Sequence, residues 1–152
     1  ILLGVVGGLG TLLGGVLADR LGARAPAWRL RVVAIAFVAV LPLWPAALLI
    51  GHRIGAIACL ALPAAVICFY LAPTFAAVQS LADPAMRALA AALLLMIGSL
   101  VGLGLGPVLV GVLSDALQPA LGAQSLRFAL LVIVPLLLWS SAHYFAASRT
   151  LP

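Results

Sequence analysis

The side chains able to do acid, base, nucleophilic or metal chemistry are few: Asp19, Asp83, Asp115, His52, His143, Cys59, Cys68 and eight arginines, with no Glu and no Lys. An enzyme embedded in a membrane would need paired carboxylates, a serine with a histidine, or histidines at metal-ligand spacing. Two isolated histidines and three dispersed aspartates supply none of these, so the sequence reads as a non-enzyme with no cofactor and no metal site. His143 has no acidic neighbour in sequence and reads as an interfacial or packed residue rather than a proton relay. Cys59 and Cys68 would lie about 13 Å apart along one helix, too far for a disulfide, and serve as small apolar fillers.

The elements that must carry these residues follow from where the charges stand. Of 152 residues, 66% are hydrophobic and 7% charged, with a mean hydropathy of +1.36; soluble domains are roughly half apolar and about a quarter charged. The charge-free intervals 1–18, 32–52, 54–82, 88–114 and 128–148 each reach the ~18 residues of a candidate transmembrane helix. Stretches such as LALPAAVICFYLA and LLVIVPLLL are continuously apolar, unlike the alternating strands of a membrane barrel. The expectation is an all-α membrane protein with spans at about 1–18, 30–50, 54–80, 85–113 and 127–147. Arg20, Arg24, Arg29, Arg31, Arg87 and Arg149 then fall on one side, Arg53 and Arg127 on the other. The positive-inside rule makes loops 19–31 and 81–87 and the C-terminus cytoplasmic. The net charge of +5 follows from this bias. Anionic lipid of the bilayer is a sufficient partner for it, with no nucleic acid required.

Along the chain, glycines spaced by four, as in Gly4/Gly8 and Gly10/Gly14, allow close helix approach in lipid. Gly22 is placed to end the first helix and Pro26 to delay the next. Pro42 and Pro45 should kink or unwind the second span. In the third, Pro63 and Pro73 require neighbours to satisfy the carbonyls they free. Asp83 and Pro84 suit the N-cap and first position of the fourth span, and 114–126 reads as an outer loop. Trp28 and Tyr144 fit an interfacial aromatic belt; Trp139 falls near mid-depth.

Gly15-Val16-Leu17-Ala18-Asp19 recurs as Gly111-Val112-Leu113-Ser114-Asp115, and Leu21-Gly22-Ala23 as Leu121-Gly122-Ala123. The topology gives the copies opposite orientations, the mark of inverted repeats in secondary transporters, although these residue types are abundant enough for coincidence to compete. A three-helix repeat with the fourth span at the centre of one unit leaves the first span at the centre of a unit whose first helix is missing. An opening Ile in place of Met agrees with such a truncation.

Gly15-Val16-Leu17-Ala18-Asp19-Arg20-Leu21-Gly22-Ala23-Arg24 resembles the signature loop of the major facilitator superfamily: Gly, three residues, Asp, a basic residue, one residue, Gly, then basic residues, with Ala23 departing from the pattern. The resemblance implies a cytoplasmic gating loop that latches helix ends during alternation between inward- and outward-open states. Independently, Asp19 at a helix C-terminus opposes the macrodipole and needs a partner; an ordinary inner-loop turn is the other reading of the same residues. Gly98, Gly102, Gly106, Pro107 and Gly111 are similar to the Gly-Pro motif of the family's fifth helix. They supply a packing groove and a bend, with or without a role in gating. A nucleotide-binding loop is excluded by the lack of a preceding strand or nearby charge. Together with Ala72–Leu81, Met86-Arg87-Ala88, Gly104–Gly111 and Ser125-Leu126-Arg127, these segments look most like the spinster-like branch, as helices eight to twelve of twelve.

No ionisable group lies at mid-depth, so any coupling carboxylate belongs to the missing part or the protein is an uncoupled facilitator. Tyr70 and Thr74 share a helix face. The family places the equivalent helix and the eleventh at the central cavity, which makes Tyr70, Thr74 and Met96 the substrate-cavity candidates; Tyr70 bonding a neighbouring helix is the alternative. The combined reading is a fragment of a secondary transporter in a bacterial inner membrane, completed by an N-terminal half. It would move a small or amphiphilic, lipid-like solute by alternating access. A non-transporting assembly subunit is the rival.

Overall fold

A computed structural model describes residues 2–150, apart from the side chains of Leu2, Leu3 and Arg53. Ile1, where the first expected span begins, the Arg53 side chain used for orientation, and the last two residues of the C-terminal tail lie outside the described residues. Those residues form helices and short turns, with no strand among them. The chain consists of two units: Ile1–Ala77 with Val134–Pro152, and Val78–Ile133. Four helical runs are long and apolar enough to cross a membrane: Gly4–Gly22, Trp28–Leu49, Ile54–Leu81 and Pro84–Ala147. With water excluded, a spanning backbone satisfies its own polar groups by forming helix, and helices apolar on every side suit lipid rather than a solvent interface.

The first unit contains α1 (Leu2–Gly22), α2 (Trp28–Val40), α3 (Leu43–Leu49), α4 (Arg53–Phe69), most of α5 (Leu71–Leu81) and, from Val134, α9 (Ile133–Ala147). The loop expected over 19–31 shrinks to the turn 23–27, because charge marks where apolar surface ends and not where helical bonding ends. The Ala23 and Arg24 N–H groups close α1 onto Asp19 O (2.9 Å) and Leu21 O (3.1 Å). The second run breaks at Leu41 and Pro42, whose missing N–H cannot reach back to Val38 O; Leu41 N–H takes that carbonyl at 3.2 Å. His52 caps α4 by accepting the Gly55 N–H at 3.2 Å. The third run breaks at Tyr70, three residues before Pro73.

Close approach of α1 and α4 rests on particular glycines. A Cβ at Gly10 would strike the Ala65 carbonyl, one at Gly14 the Phe69 carbonyl, and one at Gly7 would stand 2.8 Å from Cys68 Sγ. A Cβ at Gly4 or Gly8, which share the four-residue spacing, would meet nothing within 4 Å among the described residues. Pro73 has no N–H for Phe69 O, and the Cα of Gly14 lies against that carbonyl instead, a position suited to a weak C–H···O contact. Thr11 Oγ1 shares its one proton between Gly7 O of its own helix at 3.1 Å and Cys68 O across the same seam at 3.2 Å. A neighbouring helix thus serves the turn that proline disrupts. The core of this unit is Ala18, Val32, Val33, Phe37 and Phe69, with Val66, Tyr70, Leu137 and Tyr144 packed around it.

The second unit holds the end of α5, a 3-10 turn Pro84–Met86, α6 (Arg87–Gly98), a π-helical stretch Ser99–Leu105, α7 (Gly106–Leu121), a turn Gly122–Gln124 and α8 (Ser125–Leu131). Asp83 occupies the N-cap position, but its side chain makes no capping bond. In the π stretch Gly106 N–H reaches Val101 O, five residues back. Pro107 cannot bond Leu103 O, and Gly102, Gly104 and Gly106 relax the backbone there, which is the setting for a π turn. The loop expected over 114–126 is instead mostly helix: α7 runs through Asp115 and Pro119 to Leu121. A single carboxylate near a helix end ends the apolar surface without ending the helix. Reversal comes at Gly122, whose φ of 54° is the only positive value among the described residues and favours glycine. In a continuous helix Ser114 and Ser125 would be ~16 Å apart; their hydroxyls meet at 3.1 Å, so α8 folds back along α7.

Candidate functional site

Two of the cavity candidates stand at the break between α4 and α5. Tyr70 ends α4 and Thr74 sits one turn into α5. Their four-residue spacing is realised as a local bond: Thr74 Oγ1 donates to Tyr70 O at 2.6 Å, and Thr74 N–H reaches the same carbonyl at 3.0 Å. Thr74 Oγ1 also lies 2.7 Å from the Tyr144 hydroxyl. The threonine's one proton is committed to Tyr70 O, so Tyr144 is the donor. The rings of Tyr70 and Tyr144 lie 6.2 and 5.7 Å from that of Phe37, the latter edge-on. Phe37 of α2 and Tyr144 of α9 therefore clasp the break. Met96, the third candidate, belongs to the other unit, exposed on α6.

Tyr144 was expected only at an interfacial belt, and its part in this cluster was missed. A signal existed: Ser141, Tyr144 and Ser148 fall at i, i+3 and i+7, a polar stripe along one face of the last turns of α9 and the residue after it. All three use it. Ser141 Oγ donates to Ala34 O of α2 at 2.9 Å, Tyr144 serves Thr74, and Ser148 Oγ receives Arg31 Nε at 3.3 Å. Trp139 and His143 stand apart, stacked on each other with centroids 5.0 Å apart. Hydrogen bonds between membrane helices are worth about 0.6 kcal/mol on average, up to ~2. In a double-mutant cycle, Thr74→Val and Tyr144→Phe should each lower thermal stability in detergent, with a coupling of about 1 kcal/mol. Additive losses would mean that the two hydroxyls do not interact.

The loop motif lies on the last turns of α1. Gly15 faces α5, where a Cβ would stand 3.3 Å from Ala72 Cβ, and Gly22 gives space to the Arg29 side chain. Arg29 Nε is buried there with no hydrogen-bond partner among the described residues. Asp19, Arg20 and Arg24 are exposed. Asp19 forms no ion pair within 4.0 Å with another described residue, although the helix C-terminus disfavours its charge. Gly111 to Asp115, the similar segment, lies on α7, and both helices finish at Leu-Gly, Leu21-Gly22 and Leu121-Gly122. Along the glycine ladder, an added Cβ at Gly98, Gly102 or Gly111 would meet nothing within 4 Å in its own unit; at Gly106 it would meet only Val101 O, at 3.7 Å. The ladder is an open groove within that unit. Among the described residues no three His, Cys, Asp or Glu side chains converge as metal ligands.

No family model matches the chain, and no solved structure matches it. The chain is 40% identical over 148 residues, 96% of its length, to a protein of Mycolicibacterium smegmatis named MFS-type efflux pump. It spans about a third of that relative, 34% of its length. The likeness covers all the helices and both glycine motifs together. The chain's four apolar helical runs agree in kind with a likeness to part of a membrane transport protein.

Proposed function

We propose that this chain is helices eight to twelve of a major facilitator transporter of the spinster-like branch, and that it acts with an N-terminal half in moving a small or amphiphilic solute by alternating access. The observation that carries the reading is the 40% identity, over 96% of the chain, to a part of a protein named as an efflux pump, with the Gly15–Arg24 motif at the end of α1. Five crossings are supported by length: 64 residues from Pro84 to Ala147 would make a helix of ~96 Å, about three times a hydrocarbon core. The reversal at Gly122 divides that run in two. Arginine bias puts the 19–31 and 81–87 segments and the C-terminus in the cytoplasm of a bacterial inner membrane. The paired segments ending α1 and α7 would be the centres of inverted three-helix repeats.

Within this reading Asp19 is one half of a latch whose other half lies on helices outside this chain, Gly98 to Gly111 packs against one of those helices, and Tyr70, Thr74 and Met96 border the solute path. The 152-residue chain expressed alone should insert in membranes without moving a fluorescent amphiphilic dye that the full chain exports. Saturable dye transport by the short chain would overturn the proposal. In the full chain Asp19→Asn should slow dye export about fivefold at equal abundance, the change in state population given by the ~1 kcal/mol of an exposed ion pair. An unchanged rate would remove the latch.

A further inference from the structure

In the first unit, the start of α2 and the end of α9 bring together Trp28, Arg31, Phe145, Ser148 and Arg149. Ser148 is 1% exposed; its hydroxyl donates to Phe145 O at 2.6 Å and accepts from Arg31 Nε at 3.3 Å. The Arg31 guanidinium carbon lies 5.9 Å from the ring centres of both Trp28 and Phe145. That of Arg149 lies 5.0 Å from Phe145. Each contact is within cation–π range. One phenyl ring thus serves two cations, and no carboxylate pairs with either among the described residues. With Nε bound to Ser148 and its plane held by two rings, Arg31 keeps both terminal nitrogens unpartnered among those residues, in the fork that suits phosphate oxygens.

The surroundings say which anion. Trp28 and Phe145 are both exposed, at 37% and 44%, directly beside the two guanidinium groups. The uncharged runs 32–52 and 128–148 both end at this cluster, which sets it where hydrocarbon gives way to headgroups. Rings for glycerol and upper acyl chain next to cations for phosphate match a lipid, while a free anion has no use for the exposed rings. We propose that Arg31 and Arg149, framed by Trp28 and Phe145, form a binding site for the phosphate of an anionic phospholipid in the leaflet at this end of the unit. The site needs only that the chain is embedded in a bilayer, whatever solute the protein moves.

The test uses the full chain purified in mild detergent and titrated with phosphatidylglycerol, phosphatidylcholine or inorganic phosphate while its unfolding midpoint and retained lipid are followed. Phosphatidylglycerol should raise the midpoint, with neither comparison compound doing so at equal concentration. Arg31→Gln and Arg149→Gln should each raise the half-saturating phosphatidylglycerol concentration about fivefold, from the ~1 kcal/mol expected per surface arginine. Arg87→Gln, in the other unit, should leave it unchanged. Should Arg31→Gln fail to fold, the exposed Arg149→Gln and Phe145→Leu variants decide. Equal weakening by Arg87→Gln would reduce the effect to overall charge, and saturation by inorganic phosphate would remove the lipid; either result overturns the proposal.

Discussion

Replacing Gly14 by alanine in the full chain should lower its unfolding midpoint in detergent and cut its monodisperse yield, with Gly10→Ala doing the same. The added methyl meets a backbone carbonyl in each case, Phe69 at Gly14 and Ala65 at Gly10. A carbonyl has no alternative rotamer, so α1 and α4 must separate. Overpacking of this kind costs about 1–3 kcal/mol. The sign needs care, because alanine is the better helix former by about 1 kcal/mol. Contact with rigid backbone on the facing helix outweighs that gain, and a net loss of up to about 2 kcal/mol is expected. Gly4→Ala and Gly8→Ala keep only the gain, since a Cβ at either position would meet nothing within 4 Å among the described residues, and should be neutral or slightly stabilising. Equal losses at all four glycines would show that the seam is not where α1 meets α4.

Phe37→Ala should be at least as damaging. Phe37 is 6% exposed and is the ring against which both Tyr70 and Tyr144 pack. Removing a buried phenylalanine from a soluble core costs about 3–5 kcal/mol. In a bilayer the transfer part shrinks, because lipid is as apolar as the core, while the lost dispersion contacts and the cavity remain. A loss of about 3 kcal/mol is expected, with Phe37→Leu recovering at least half of it. Ile35→Ala on the same helix, at a residue 55% exposed, should change stability by less than about 0.5 kcal/mol. Thermal inactivation of the purified full chain measures all three. Similar losses at positions 35 and 37 would contradict the packing of α2 against the end of α4 and against α9.

What the sequence disclosed and what it hid have different physical origins. Charge spacing located the long apolar runs and Pro42 the break in the second, because both depend on local rules; Pro63 and Pro73 read alike as tolerated prolines, yet Pro63 sits inside α4 and the third run breaks near Pro73. The extent of α7 was hidden, since Asp115 ends an apolar stretch without ending hydrogen bonding. Gly4/Gly8 and Gly10/Gly14 are indistinguishable as spacings; only the position of α4, fixed by long-range packing, selects the second pair. At the candidate site, Tyr70 and Thr74 were legible as neighbours one turn apart, but Tyr144 lies 70 residues further along and only its polar stripe hinted at a partner. Asp19 was legible as a carboxylate in need of a partner, but it pairs with no cation among the described residues.

The π-helical stretch between Ser99 and Leu105 changes what the glycines around it trace. In an α-helix a step of four residues overshoots one full turn by about 40°, so a ladder of such steps spirals away from any straight neighbour. Bonding to the fifth carbonyl back puts more than four residues in each turn, and the same step then falls short of a full turn. From Gly98 through Gly102 to Gly106 both steps lie in the π stretch, so the ladder drifts in the opposite sense from the one an α-helix would give it. A second rod following these three bare backbone positions would cross with the opposite hand from one that follows an α-helical ladder.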